Sequence, residues 1–266
     1  MSLLDSKAIA IGIKGLKQKT RQWQYMFFSI GFPLMFVVML YFFLPTEADV
    51  MGMTPYDYAF PGLVMYATGM GTVSSAIMFA TDKKTGMLER LDAMPTGRKN
   101  IFLGFIMSET VFITIQILIM FGVGYGILRV EFENFLSLLT GFLMAFLFGI
   151  SSVGIGIIIA SFSKTPEAAN GLSMLYVMPV FYASGTFFPF ESPIVYFTPP
   201  YWFKQVYVQL TVMGHDLGES LYSSSLIGTT AEALIIPIWG ALLICVAMTI
   251  AFMVLGIYVF QKKTSF

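Results

Sequence analysis

From residue 135 to residue 160 the chain reads FLSLLTGFLMAFLFGISSVGIGIIIA, without one acid or base. A helix in water must show the solvent a polar face, and this stretch has none. Crossing a hydrocarbon core of about 30 Å takes about 20 apolar residues. Five further runs meet that length, at about 24–44, 58–80, 101–128, 168–188 and 236–260. None alternates apolar and polar residues as a barrel strand does, so helices are the spanning element. The whole chain agrees: 57% of its residues are hydrophobic and 11% charged, where a soluble domain carries about 25% charged residues. The expectation is an all-α polytopic membrane protein with six transmembrane helices.

The basic residues orient it. Five lie before the first run (Lys7, Lys14, Lys17, Lys19, Arg21) and five between the second and third (Lys83, Lys84, Arg90, Arg98, Lys99). Lys164, Lys262 and Lys263 fall on the same side of a six-span chain. Only Arg129 and Lys204 fall opposite, where Glu47, Asp49, Asp57, Glu131, Glu133, Glu191, Asp216, Glu219 and Glu232 collect. Positive charge marks the cytoplasmic side, so both termini are expected in the cytoplasm and the chain in the cell membrane. The apolar run after Trp23 is too long for a cleavable leader.

The stretch 189–235 is aromatic yet broken by Pro189, Pro193, Pro199 and Pro200. It is too interrupted to span and too apolar to sit wholly in water. Either it forms a re-entrant or interfacial pair of short helices, since broken backbone is tolerated at membrane depth when buried in protein, or it is an outer loop resting on headgroups.

Glu109 is the one ionisable residue well within a run, and Gln116 lies seven residues on, near the same helix face. A carboxylate at such depth is a functional candidate by default. The bland reading puts it near the inner headgroups or against a polar group of a neighbouring helix. Small residues recur at four-residue spacing (Ala67, Gly71, Ser75; Gly122, Gly126; Ser152, Gly156, Ala160), a pattern that lets helices approach closely.

Several function classes drop out. One cysteine, Cys245, and one histidine, His215, allow neither an intrachain disulfide nor a cysteine-cluster or multi-histidine metal site. Net charge is zero, against a nucleic-acid partner. No GxxxxGK[ST], HExxH or GxSxG occurs, so no catalytic residue is assigned and an intramembrane enzyme has no motif behind it. No inverted repeat is evident, which weakens a secondary carrier.

One charged strip, TGMLERLDAMPTGRKN at 85–100, stands between two long apolar runs. Met87, Leu88, Leu91 and Met94 share a helix face, Thr85 is placed to cap it, and Pro95 ends it. A helix of under ten residues does not hold in water by itself, so it needs a groove to dock into.

DKKTGMLERLDAMPTGRKNIFLG, 82–104, resembles the first cytoplasmic loop of ABC-2 type ABC transporter permeases: a charged pair, a Gly, an LE-L core, a Pro and a basic residue before span 3. MPVFYASGTFFPFESPIVYFTPPYWFKQV, 178–206, resembles that family's SG-FFP segment at the end of span 5 and the hairpin after it. The resemblance implies that 1–266 form one transmembrane domain. Residues 1–23 would be a connecting helix at the inner membrane surface, 85–94 a coupling helix, and 189–235 an outer re-entrant region.

Gly86, Met87, Leu88, Glu89, Arg90, Leu91 and Met94 would then contact a separate ATPase subunit, present in two copies and binding ATP and Mg. This chain would itself hold no cofactor and no metal. A second permease copy or a paralogue would complete a passage lined by spans 2 and 5, with Met65, Tyr66, Met70, Glu109, Tyr176, Phe181 and Tyr182 as candidate lining. Such apolar, aromatic walls suit a drug-like amphiphile, a lipid or a lipid-linked glycan. The rival is an ATPase-independent channel or secondary transporter built on Glu109.

Overall fold

The computed structural model describes residues 2–21, 26–45, 54–87, 98–186, 193–222 and 233–264. In chain order these form α1 (Ser2–Arg21), α2 (Phe32–Phe43), α3 (Pro55–Gly69), α4 (Gly71–Lys84), α5 (Arg98–Phe121), α6 (Phe135–Phe162), α7 (Pro166–Ala183), α8 (Pro199–Tyr207) and α9 (Ile238–Thr264). Single π turns lead into α2 (Phe27–Gly31) and continue α5 (Gly122–Ile127) and α8 (Val208–Val212). A short antiparallel pair, β1 (Ser220–Tyr222) and β2 (Ala233–Pro237), precedes α9 and departs from the purely helical expectation.

The helices begin where local chemistry starts them. Thr54 accepts the Asp57 amide and Pro55 follows; Asn134 accepts the Ser137 amide; Thr165 accepts the Ala168 amide and Pro166 follows. Each satisfies an amide that has no partner inside its helix, and proline costs nothing at the first position. α4 and α7 stop at Gly86 and Gly185, with φ of 65° and 66°, the left-handed stop that glycine adopts without strain.

α3 and α4 meet at Met70 and make one passage, Pro55–Lys84, whose most apolar stretch is 89% buried within the chain. This is the hub, with α2, α5, α6, α7 and α8 packed around it. The equivalent stretch of α9 is only 17% buried, so α9 lies at the rim, against α6. α4 and α6 touch almost backbone to backbone. Thr72 Oγ1 donates to Ser152 O at 3.1 Å and Ser75 Oγ to Val153 O at 3.4 Å. A Cβ on Gly156 would collide with the Ser75 hydroxyl and the Thr72 carbonyl. A methyl group added at Gly122 or Gly126 would meet nothing within 4 Å, so that small-residue pair serves no contact among the described residues.

Among the described residues four helices are long and apolar enough to cross a membrane: Pro55–Lys84, Leu103–Ile127, Phe135–Phe162 and Ile238–Phe260. The two other expected spans fall short for different reasons. α2 is brief, its apolar stretch being Ser29–Phe43, and α7 opens on the polar sequence PEAAN.

The two ends of the bundle differ in charge. One gathers Asp57, Glu131 and Glu133, with the Glu131 amide donating to Asp57 at 3.1 Å. The other gathers Lys83, Lys84 and Lys164, with Lys84 3.8 Å from Glu167.

Candidate functional site

α4 delivers the chain to the charged strip and ends there. The Thr85 amide and hydroxyl both bond to Thr81 O, at 2.9 and 3.0 Å, so Thr85 closes α4; the helix that it is expected to cap lies outside the described residues. Gly86 then turns the backbone away, and Met87 is half-buried. Leu88, Glu89, Arg90, Leu91 and Met94 lie outside the described residues.

Of the candidate lining residues, Met65, Tyr66 and Met70 are buried at the hub, as is Phe181 on α7. The Tyr66 and Phe181 rings meet edge to face, centroids 5.4 Å apart, and Phe148 backs Phe181 at 5.9 Å. Gly69 makes the room, since a Cβ there would collide with the Phe181 ring. Tyr182, one residue on, faces outward, and Tyr176 is half-buried against the core. The structure therefore brings Tyr66 and Phe181 into one aromatic plug and leaves Tyr182 on an outer face of α7, beside Leu175 and Met178.

Above this plug sits a polar lock that the sequence does not disclose. Lys204 on α8 is 2% exposed; its ammonium donates to Gly185 O at 3.0 Å and stands 4.1 Å from the Tyr58 ring centre. The Ser184 hydroxyl bonds the Thr186 hydroxyl and donates to Phe181 O. Gly62 lets the backbone at Thr186 approach α3. α8 is buried along its whole length. A lysine amid Tyr201, Trp202 and Phe203 is the available signal, and by sequence it counts only as an outer-side charge.

Glu109 is 1% exposed and does not stand alone. Lys19 of α1 reaches it at 2.5 Å, the Ser74 hydroxyl lies 3.4 Å from both carboxylate oxygens, and the Lys19 ammonium rests 4.9 Å from the Phe112 ring centre. Burial pushes the Lys19 ammonium below its ordinary pKa, and the Glu109 carboxylate opposes that. One turn further from Phe112, the Gln116 amide donates to Ser29 O at 2.6 Å and Ala67 O at 2.7 Å, tying α5 to α3 and to the π turn before α2. Sequence reasoning names Glu109 and misses Lys19. The signal is its place after Gly12 and Gly15 at helical spacing, which is the inward face of α1, whereas Ile9 and Ile13 are exposed.

Among the described residues no group of three or more His, Cys, Asp or Glu side chains is placed to hold a metal ion. The arrangement offers a closed aromatic core, a polar lock at one end and a basic opposite end.

The family model described as ABC-2 type transporter matches residues 7–210. The chain is 24% identical over 191 residues to the probable multidrug ABC transporter permease YbhR of Escherichia coli K12, covering 66% of this chain and 51% of that one. It is 24% identical over 151 residues to ABC transporter G family member 20 of Dictyostelium discoideum, covering 56% of this chain and 20% of that one. The chain thus spans about half the length of the bacterial relative and a smaller part of the other.

Proposed function

Because the chain belongs to the ABC-2 type transporter family, we propose that it is the permease subunit of an ATP-driven exporter, working with two copies of a separate ATPase subunit and a second permease copy or paralogue. In this reading α2, α3–α4, α5, α6, α7 and α9 are six crossings of the cytoplasmic membrane. The basic end is cytoplasmic, and α8 is the buried arm of a re-entrant hairpin. α1 is the connecting helix. ATP and Mg belong to the partner, and the cargo is hydrophobic or amphipathic: a drug-like molecule, a lipid or a lipid-linked glycan.

The observation that carries the proposal is the course of Pro55–Lys84. The most enclosed of the four long apolar helices carries Tyr66 of the aromatic plug, continues to the basic end and stops at Gly86, where the strip that would dock on the ATPase begins. A push on the strip reaches Tyr66 through one helical passage. Parting an aromatic pair such as Tyr66 and Phe181 costs about 0.5–1.5 kcal/mol beyond lost area, small enough for a conformational change to open the plug and let it close again. The Glu109 carboxylate is engaged by Lys19, so a channel or secondary carrier built on it gains no support here.

The test is Leu88→Asp. A buried leucine contributes about 1.5–3 kcal/mol, and the substitution also sets a carboxylate in an apolar groove. The co-expressed ATPase should no longer co-purify, while the permease still inserts, since no crossing is touched. An ATPase that stays bound and active on Leu88→Asp would remove the coupling-helix assignment.

A further inference from the structure

α1 and α5 run side by side in matched steps. A Cβ on Gly12 would lie 3.1 Å from Gly104 O, one on Gly15 would lie 2.7 Å from the Ser108 hydroxyl, and Lys19 meets Glu109 and Phe112. Each advance of three or four residues along α1 is matched by about four along α5, so the helices are parallel over two turns. Gly12 and Gly15 permit this approach but have no side chains to interdigitate. They set how near α1 comes to α5, with the Ser108 and Met78 side chains close against Gly15, but supply no charged pairing to select its register.

The pair at the end of the seam does fix it. A buried ion pair is a weak source of net stability, because desolvation cancels most of its attraction, but its geometry is demanding and selects one register. Glu109 lies about 27 Å down its helix from Ile127, close to the boundary of a hydrocarbon core about 30 Å thick. At that depth water cannot readily replace either partner. Ser74 brings in α4 through its bond to the same carboxylate. α4 leads into the charged strip and α5 leads out of it, so one carboxylate holds α1 to both helices that flank the strip.

We infer that Lys19, Glu109 and Ser74 form a positioning joint that locks α1, α4 and α5 into one moving body, with Glu109 a positioning residue and not a contact for cargo. That this body transmits ATPase movement rests on the permease reading; that the joint sets the seat of α1 does not.

The two are tested separately. A Cβ on Gly12 lies 3.6 Å from the Met107 Cβ, within the usual disulfide separation of about 3.5–4.5 Å. The full chain therefore carries Gly12→Cys and Met107→Cys in a Cys245→Ser background, in native membranes, and the rate of oxidative cross-linking is read. Glu109→Lys or Lys19→Glu should slow it about tenfold or more, because two like charges would then share one buried site and must part. The reversed pair, Lys19→Glu with Glu109→Lys, should return it to within about threefold of the parent. Glu109→Gln, which keeps size and hydrogen bonding, covers the case in which a reversed charge prevents folding; it should slow the cross-link less than Glu109→Lys.

In the complex with its co-expressed ATPase, each single reversal should keep the ATPase bound and lose permease-dependent stimulation of hydrolysis, with the reversed pair regaining it. Parent-like cross-linking in the single variants, or a reversed pair as slow as the worse single, overturns the joint. Failure of the parent itself to bind an ATPase overturns the permease reading, and the cross-link still decides the joint.

Discussion

Gly156→Ala drives a methyl group into the Thr72 carbonyl oxygen and harder still against the Ser75 hydroxyl, both well inside the 3.0 Å that real Cβ contacts respect. The hydroxyl can rotate away; the carbonyl belongs to α4 and cannot. Ordinary contact begins near 3.4 Å. α4 and α6 must therefore part by about 0.5–1 Å, enough to forfeit a quarter to a half of the dispersion energy along their seam. Overpacking of this kind costs about 1–3 kcal/mol. The separation also stretches the bonds from Thr72 to Ser152 O and from Ser75 to Val153 O, each worth about 0.6 kcal/mol inside a membrane protein. Together these give about 2–4 kcal/mol, or a fall of roughly 5–15 °C in Tm at about 2–4 °C per kcal/mol. The assay is survival of the monodisperse peak on size-exclusion chromatography after heating in detergent. Gly122→Ala and Gly126→Ala are the controls: with nothing within 4 Å they should melt at or slightly above the parent value, alanine being the better helix former by about 1 kcal/mol. If Gly156→Ala melts with the parent, the α4–α6 seam is looser than these contacts require and the hub is not held by close backbone approach.

Three other measurements bear on the same architecture. Gln116→Leu removes both amide bonds to Ser29 O and Ala67 O and should lower stability by about 1–3 kcal/mol; an unchanged melting point would deny the bridge. Lys204→Met leaves the buried Gly185 carbonyl without its donor, a loss of about 1–3 kcal/mol. Tyr58→Leu, which takes away only the ring beneath the ammonium, should cost about 0.5–2 kcal/mol, and equal parent-like stability in both would dissolve the lock. In a Cys245→Ser background, a cysteine at the exposed Leu217 should react with a membrane-impermeant maleimide on intact cells, whereas one at the exposed Thr85 should react only in inverted vesicles; the opposite pattern would reverse the proposed orientation.

The apolar runs and helix stops are legible in the sequence, because each depends on a segment and its solvent alone. A stretch such as 135–160 cannot pair its backbone in hydrocarbon except as a helix, and Gly86 ends α4 through its own freedom of φ. The strip at 85–94 is visible for the same reason, as a charged insertion in an uncharged setting, and Thr85 at its edge closes α4.

Partnership is not legible there. Inside a bilayer an apolar side chain gains nothing by facing protein instead of lipid, so contact goes to whichever faces leave room and satisfy polar groups. That is why α1 turns inward the face of Gly12, Gly15 and Lys19 and leaves Ile9 and Ile13 exposed. It is also why the Gly156 notch is filled while Gly122 and Gly126 face nothing among the described residues. Glu109 can be singled out from sequence for the same reason that its partner cannot. Lys19 precedes it by three helices' worth of chain, and only the packing of α1 along α5 brings the two charges together. Sequence alone determined that this chain lives among helices in a membrane. The tertiary structure decided which of its few polar groups hold those helices to one another, because room and geometry between segments make that choice and nothing within any one segment does.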